Sequence, residues 1–555
     1  MRLFTYLTFL GHQAFIGGSR AISRIMPRNG PTSGTPETLP EEIGDISGLH
    51  RHLQAIEEIR CLDRQTWSDL DGDFLCHLIA GSGSLFAQHV AYDRLNGRVT
   101  RSMTDTAAAS VAEFLNDPDT IDRVLRGALP LKRASSNAVE MLFNFPLDRP
   151  FRWEWIARLL PVIFIAGAIA LFSSTAAGAL LLGLFGAGVF FVQSQLYAEM
   201  ETLSRLEDEV RRLLSVVLDV SSSVESDIHP LLNRVRNQAA EARLLFKAIK
   251  RSRALSGLPE AEEYANWLLL RNIRRYLRIR PILQAHLPFL RTCFEVIGEL
   301  ELSALLAHEL RDRPSAFCWV AWTNELELSL REMRHPVLSG ATPISFCLAE
   351  RGALITGQNA SGKSTLLRSI GLNVICARAF GFCSAANASM PYLPVYTSLQ
   401  IKDHLQRGDS LFAAEVARAH EMWQAAASHP GVFLIDEIFR GTNYTESVSA
   451  AIGLLEGLAD RGLVIATTHN VTLASLLKTK FVFLIATRSS GAQAGRFELK
   501  TGVLEETNAL KILGESDFGA GMLNRVAEVK AAISAPGTPD KDRAASPNTD
   551  ELANR

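Results

Sequence analysis

Residues 357–364 read Gly-Gln-Asn-Ala-Ser-Gly-Lys-Ser and fit the spacing G-x-x-x-x-G-K-[ST]. Glycines at this spacing let backbone N–H groups converge on phosphate oxygens, and the lysine adds a cation that reaches the terminal phosphates of a nucleoside triphosphate. Gly357, Gln358, Asn359, Ala360, Ser361, Gly362, Lys363, Ser364 and Thr365 are therefore candidate phosphate-binding residues, with the Ser364 hydroxyl also a candidate Mg2+ ligand. About 70 residues downstream the apolar run Val432–Ile435 ends in Asp436-Glu437. Acidic pairs are common on protein surfaces. At the end of a buried strand that follows a phosphate loop, the two acids acquire separate tasks: Asp436 holds Mg2+ directly or through water, and Glu437 acts as general base toward a water. A third run, Ile465–Thr468, ends in His469. A lone histidine is more often structural than catalytic. At the carboxyl end of a parallel strand, where α/β sheets bind ligands, it becomes a candidate γ-phosphate sensor or water-positioning group. The expected ligands are ATP and Mg2+.

These groups need a rigid frame. Short apolar runs bounded by glycine or polar residues, at Ala353–Ile355, Val432–Ile435, Leu463–Ala466 and Lys480–Ile485, alternate with helical patterns after residue 316. That texture predicts buried parallel strands and an α/β P-loop NTPase domain. The pattern Thr365–Ala379 predicts the helix whose N-terminus faces the anion. Upstream, residues 50–145 have helical apolar spacing, as at Leu53, Ile56, Ile59 and Leu62, and residues 197–312 read as long amphipathic helices, clearest at Glu199–Val217 and Leu231–Arg253. Arg271–Arg280 packs five arginines into ten residues. It is either a solvated helix face or a phosphate-binding face for lipid headgroups or nucleic acid.

Between Leu159 and Val192 lie 34 residues without a charge. One membrane-spanning helix takes about 20 apolar residues, so the run predicts a helical hairpin turning at Ser173-Ser174-Thr175, with spans near Trp155–Phe172 and Ala176–Leu196. Arg158 sits where its side chain reaches the interface, and Trp153, Trp155 and Tyr197 suit an interfacial belt. A buried hairpin in a soluble core is the other reading. Both flanks return to one side, and a site that consumes ATP places them on the cytoplasmic face of a membrane, or in the cytoplasm if the hairpin is buried in a core.

Composition excludes other classes. The chain has 555 residues, 47% hydrophobic and 21% charged, with a formal net charge of −2. A wholly disordered, collagen-like or strongly basic coat protein is excluded, although a local basic stripe is not. Seven cysteines (Cys61, Cys76, Cys293, Cys318, Cys347, Cys376, Cys383) lack CxxC spacing and read as reduced thiols. Met1–Phe15 is mildly apolar but broken by Thr5, Thr8 and Gly11-His12-Gln13, which fits a disordered leader or a mis-assigned start better than a signal peptide. Arg28–Pro40 reads as linker, and the tail from Ala535 has too little apolar surface to fold.

The segments TGQNASGKSTLLRSIGLNVICARAFGFCSA, DSLFAAEVARA, LIDEIFRGTN, ATTHN and RFELKTG follow one another in order. Together they resemble the C-terminal ABC-type ATPase domain of the MutS family of DNA mismatch repair proteins, and Arg334-His335-Pro336-Val337 resembles the family's RHP segment just upstream. The resemblance covers roughly residues 316–530, about 40% of the chain. It implies a dimer in which each nucleotide lies between one subunit's phosphate loop and the other's signature helix. Ser410 would then direct a helix N-terminus at the partner's γ-phosphate, a role compatible with simple N-capping. Asn359 matches the family's loop asparagine, and Arg440, Gly441, Thr442 and Asn443 match its post-acid loop, expected near the dimer interface. The chain departs from the pattern at Phe439, where the family usually has glycine, at Asn443-Tyr444 in place of Ser-Thr, and in NASGKS in place of NMGGKS. The family's mismatch-reading Phe-x-Glu wedge has no match, because Asp73-Phe74 is followed by Leu75-Cys76 and reads as helix. Residues 64–70, followed by Gly81-Ser82-Gly83, weakly resemble the start of the family's helical core domain.

The organisation expected from all this is a leader and linker at 1–49, a helical region at 50–150, the hairpin at 151–197, helical levers at 198–315, a MutS-like ATPase domain at 316–530 and a tail at 531–555. The resemblance implies ATP hydrolysis coupled to conformational change in a homodimer, with mismatched or branched DNA as a partner. A membrane-anchored mechanical or regulatory ATPase that never contacts DNA is the alternative, and the pattern is closest to a membrane-anchored branch of MutS-like ATPases.

Overall fold

The structure, a computed structural model, describes residues 62–96, 99–134, 142, 154–223, 229–250, 270–312, 316–338, 340–358, 361–400, 411–440, 442–477, 480–488, 497–503 and 520–534. The expected leader and linker, nearly all of the tail, Trp153, Asn359, Ala360, Ser410 and Gly441 lie outside the described residues.

Local sequence sets where the first helices begin. Helix α1 (Arg64–Asp69) starts at Asp63, whose carboxylate accepts from Thr66 N at 2.9 Å. Helix α2 (Gly72–Ala80) follows directly, so Asp73-Phe74 is helical. Ser84 caps α3 (Leu85–Leu95), Thr100 caps α4 (Arg101–Asn116), and Asp117 with Pro118 at the first position opens α5 (Pro118–Ala128). Helices α6 (Glu154–Ser173) and α7 (Thr175–Ser223) form an antiparallel hairpin that turns at Ser174. Among the described residues three more helices follow in this part: α8 (Pro230–Ala248), α9 (Arg271–Ala285) and α10 (Leu287–Arg311). Helix α8 stops at Ala248, short of Arg253, where the amphipathic pattern ends.

The α6–α7 hairpin divides into two zones. After residue 196, α7 buries Leu203, Leu206, Val210, Leu213 and Val217 against the other helices. In the upper zone, toward the turn at Ser174, large apolar side chains face outward, among them Val162, Ile169, Phe172, Leu180 and Phe190, with Phe172 96% exposed. Glycine lets the two helices approach closely in this upper zone. A Cβ on Gly178 would lie 2.6 Å from Leu171 N, and one on Gly188 would lie 2.5 Å from Leu160 Cδ2. Both helices are long and apolar enough to cross a membrane by length and composition. Helix α7 runs without a break from the apolar zone into the buried one, so the boundary expected at 197/198 falls inside a single 49-residue helix.

After residue 316 the described residues build three sheets. Strand β5 (Gly352–Gly357) is central in a six-stranded sheet with β8 (Val395–Ser398), β9 (Val432–Asp436), β10 (Leu463–Thr468), β11 (Phe481–Arg488) and β12 (Phe497–Thr501). The order is β12-β11-β5-β10-β9-β8, parallel except at the β12 edge. Every residue of β5 and β10 is buried, as expected where helices cover both faces. Shorter strands β1 (Cys318–Trp319) and β6 (Phe382–Cys383) pair antiparallel. A four-stranded sheet holds β2 (Ala321–Thr323), β3 (Leu328–Met333), β4 (Ile344–Leu348) and β7 (Asn387–Pro391). The covering helices are α11 (Lys363–Phe380), α12 (Leu411–Ser428), α13 (Tyr444–Ala459) and α14 (Val471–Leu476), and α15 (Ala520–Ser534) is the last described element.

The helical part and the sheet share one hydrophobic core, in which Leu70, Phe86 and Leu290 join Ile370 and Leu434. At their junction Gly371 of α11 is needed, since a Cβ there would lie 2.8 Å from Leu70 Cδ2. The junction is also polar. Buried Asp69 accepts from Thr397 Oγ1 and Leu399 N, both at 2.8 Å. Buried Arg418 of α12 donates to Thr397 O at 2.8 Å and to Thr66 Oγ1 at 3.1 Å, and pairs with Asp63 at 3.0 Å.

Candidate nucleotide site

The site forms at the carboxyl ends of β5, β9 and β10. Glycine at 357 is dictated by the neighbouring strand, because a Cβ there would fall 2.7 Å from Ala486 O. Gly362 has φ +94°, a left-handed conformation that glycine adopts without cost, and it opens α11. With the loop turned this way, Lys363 is buried and donates from Nζ to Gly357 O at 3.0 Å and Gln358 O at 3.1 Å. Burial lowers its pKa, opposed by the carboxylates of Glu437 and Asp436. The Ser361 hydroxyl is buried without a hydrogen-bond partner among the described residues. A buried orphan hydroxyl beside a folded-back lysine is what a loop shaped for an anionic ligand leaves when its own groups do not satisfy one another.

The register of the sheet assembles the acids. Thr467 and Asp436 are ladder partners on β10 and β9, and the Thr467 hydroxyl donates to Asp436 Oδ1. Ser364 Oγ donates to the other oxygen of Asp436 at 2.5 Å. The carboxylate thus already holds the loop serine that would share a cation with it. Beyond β9 the chain turns sharply. Glu437 has φ 51° and its N–H donates to Thr467 O at 3.2 Å. Phe439 has φ 57°, so the position where the resembled family carries glycine keeps the backbone that favours glycine. A left-handed non-glycine residue costs about 1–2 kcal/mol, and burying a phenylalanine returns about 1.5–3 kcal/mol. Phe439 is 6% exposed and packs against Phe412, so burial offsets the strain.

Glu437 is held from two sides. His469 Nε2 lies 2.6 Å from its Oε1, and Arg440 Nη1 lies 3.2 Å from its Oε2. His469 Nε2 is also 3.3 Å from Lys363 Nζ. One ring nitrogen cannot donate and accept in the same tautomer. The shorter contact assigns the hydrogen to Nε2 and the acceptor role to Glu437. Burial lowers the His469 pKa, with Glu437 pulling the other way. Buried Glu415 of α12 accepts from Arg440 N at 3.1 Å, which ties the post-acid loop to the helix that follows Ser410.

A cavity of about 180 Å³ opens beside the loop, lined by His335, Leu338, Ile344, Ser361, Thr365 and Phe497. His335 Nδ1 accepts from Val337 N and Leu338 N, both at 3.3 Å, so the ring is neutral with its proton on Nε2. Burial, reinforced by the positive charge of Arg368, brings its pKa down to about 4.

The structure therefore brings together Gly357, Gln358, Ser361, Gly362, Lys363, Ser364, Thr365, Asp436, Glu437 and His469. Asn359, Ala360 and Ser410 are outside the described residues. Sequence reasoning did not anticipate Thr467, Glu415 or the Asp69–Arg418 junction. Thr467 was open to discovery, since it sits one position inside a strand already identified. Nothing in the chain links Asp69 to residues some 330 positions away.

Residues 353–516 match the family model of MutS domain V. The MutS-like segment extends into several curated proteins. The DNA mismatch repair protein MutS of Lactobacillus delbrueckii subsp. bulgaricus is 24% identical over 301 residues, 50% of this chain and 35% of that protein. The DNA mismatch repair protein MutS of Geobacillus sp. is 27% identical over 315 residues, 54% and 36% of the two chains. Endonuclease MutS2 of Thermus thermophilus is 33% identical over 184 residues, 32% and 25%. The chain spans a quarter to about a third of the length of these relatives.

Proposed function

We propose that this chain binds and hydrolyses ATP with Mg2+ and uses the cycle to drive a conformational change in a homodimer. The observation that carries the reading is the convergence of Lys363, Ser364, Asp436, Glu437 and His469 at one sheet edge, with the Ser361 hydroxyl unsatisfied beside them. Lys363 and the loop N–H groups would take the β- and γ-phosphates, and the cavity by His335 and Phe497 would take the nucleoside. Ser364 and Asp436 would hold Mg2+, which supplies positive charge against the charge that builds on the phosphates. Glu437 accepts the proton of the attacking water, and His469 and Arg440 fix the direction of its carboxylate. Ser410 of a partner subunit would complete the site. Lys363→Ala is expected to abolish binding of a fluorescent ATP analogue by the full chain, and EDTA to stop turnover. Unchanged turnover in that variant would remove the assignment.

The names of the relatives favour work on mismatched or branched DNA. The outward apolar zone of the α6–α7 hairpin favours a membrane-anchored ATPase whose catalytic domain lies on the cytoplasmic face. The two are separable. Retention of the protein in membranes after alkaline carbonate supports the anchor, and salt-sensitive preference for heteroduplex over homoduplex DNA supports the DNA role.

A further inference from the structure

The arginine-rich helix α9 is attached to α7 just where the apolar zone ends. Asn272 and Gln193 exchange two side-chain hydrogen bonds, at 2.9 and 3.2 Å. The Tyr276 hydroxyl donates to Glu199, and Arg275 donates to Glu207 through Nε at 3.0 Å. Asn272 meets Gln193, whereas Arg275 and Tyr276, further along α9, meet Glu207 and Glu199, further along α7, so the two helices run in the same direction with the start of α9 toward the apolar zone.

The hairpin register sets the level of this attachment. Leu160 faces Gly188 and Leu171 faces Gly178, which brings Trp155 level with Gln193. From Gln193 to the turn at Ser174 is 19 residues, which at about 1.5 Å each is about 28 Å, close to the ~30 Å of a bilayer's hydrocarbon core. Trp155, 59% exposed, marks the same plane, and Tyr197, 67% exposed, lies about one helical turn beyond it. If the hairpin spans a bilayer, α9 begins in the headgroup layer.

Three of the five arginines then share a face. Arg275 is committed to Glu207, and Arg280 is buried, its guanidinium 6.0 Å from the Tyr276 ring centroid. Arg271, Arg274 and Arg278 fall within about 60° of one another around a helix that turns about 100° per residue. Arg274 and Arg278 are exposed and Arg271 is half-buried. Exposed Arg158 of α6 lies at the same end of the hairpin.

We propose that the Arg271–Arg274–Arg278 face binds the headgroups of anionic phospholipids in the leaflet through which the hairpin enters. The inference rests on the membrane-anchored reading above. Guanidinium groups suit phosphate oxygens, and the depth of the face follows from hydrogen bonds within the protein rather than from a flexible tail.

The test is lipid selectivity of the full chain reconstituted in phosphatidylcholine vesicles, measured by electron spin resonance with spin-labelled phosphatidylglycerol and spin-labelled phosphatidylcholine. An interfacial arginine contributes about a fivefold preference at low salt. The wild-type protein is expected to prefer phosphatidylglycerol several-fold. The Arg274→Glu/Arg278→Glu variant is expected to lose the preference, and Arg274→Lys/Arg278→Lys to keep most of it. Helical content by circular dichroism checks that each variant is folded. Flotation with the vesicles reports the anchor separately. Failure of the wild type to float overturns both readings. Flotation with equal association of the two lipids overturns only the headgroup site. Unchanged lipid preference in the glutamate variant, with loss of duplex DNA binding, would assign the face to nucleic acid instead.

Discussion

Asp69→Asn tests how the helical part is bonded to the ATPase domain. Asp69 is 2% exposed. Its Oδ1 accepts from Gln65 Nε2 at 2.8 Å and Gln400 N at 3.3 Å, and its Oδ2 from Thr397 Oγ1 and Leu399 N, both at 2.8 Å. Asparagine has the same shape but replaces one acceptor with a donor. Gln65 can swing to solvent and the Thr397 hydroxyl can rotate. The amides of Leu399 and Gln400 cannot move, and one of them must face the new NH2 whichever way the side chain is turned. A buried donor left without an acceptor costs about 1–3 kcal/mol, and a hydrogen bond to a charged acceptor is worth about 1.5–3 kcal/mol where a neutral one is worth about 1. The expected loss is therefore about 2–4 kcal/mol, against a smaller loss for Gln65→Ala, which removes one donor but leaves no buried group unpaired. The assay is urea unfolding followed by tryptophan fluorescence, with the midpoint read at constant slope. A loss below about 0.5 kcal/mol would show that the carboxylate does not carry the junction, because no rotation of an asparagine satisfies every donor now bound.

Two further outcomes follow from the site. Glu437→Gln keeps the shape beside His469 and Arg440 but cannot take a proton, so ATP binding should persist while steady-state turnover falls about 10²–10⁴-fold. Turnover within a few-fold of wild type would exclude Glu437 as the base. His335 is expected to make stability fall with acidity. Its folded pKa of about 4 lies below its ordinary value of 6.5, so between those values the unfolded chain binds more protons. The contribution is complete above about pH 6.5 and is lost as pH falls toward 4; a shift of this size, discounted for partial exposure, is worth about 2 kcal/mol. His335→Asn, which keeps an acceptor for Val337 N, should flatten the difference between unfolding midpoints at pH 7 and pH 5.

Much of the nucleotide site was legible because its chemistry is local. The loop 357–364 needs glycines at set positions, and an acid pair ending an apolar run needs only the strand before it. The positive φ of Phe439 was also implicit, since that position carries glycine in the family it resembles. The apolar length of 159–192 and the arginine density of 271–280 were equally visible, as composition over a short window.

What the linear order could not express is which distant segments meet. Asp69 reaches Leu399, Thr467 reaches Asp436, and His469 reaches both Lys363 and Glu437, through strand order and helix packing. Cys318 and Cys383, scattered in the sequence, face each other across β1 and β6 with sulfurs 3.9 Å apart. The level of Arg274 against the apolar zone depends on Asn272 meeting Gln193. Periodicity and motif spacing are properties of neighbours along the chain. Partners tens or hundreds of residues apart are chosen by burial of a shared core and by saturation of its buried polar groups, and those exist only once the chain has folded.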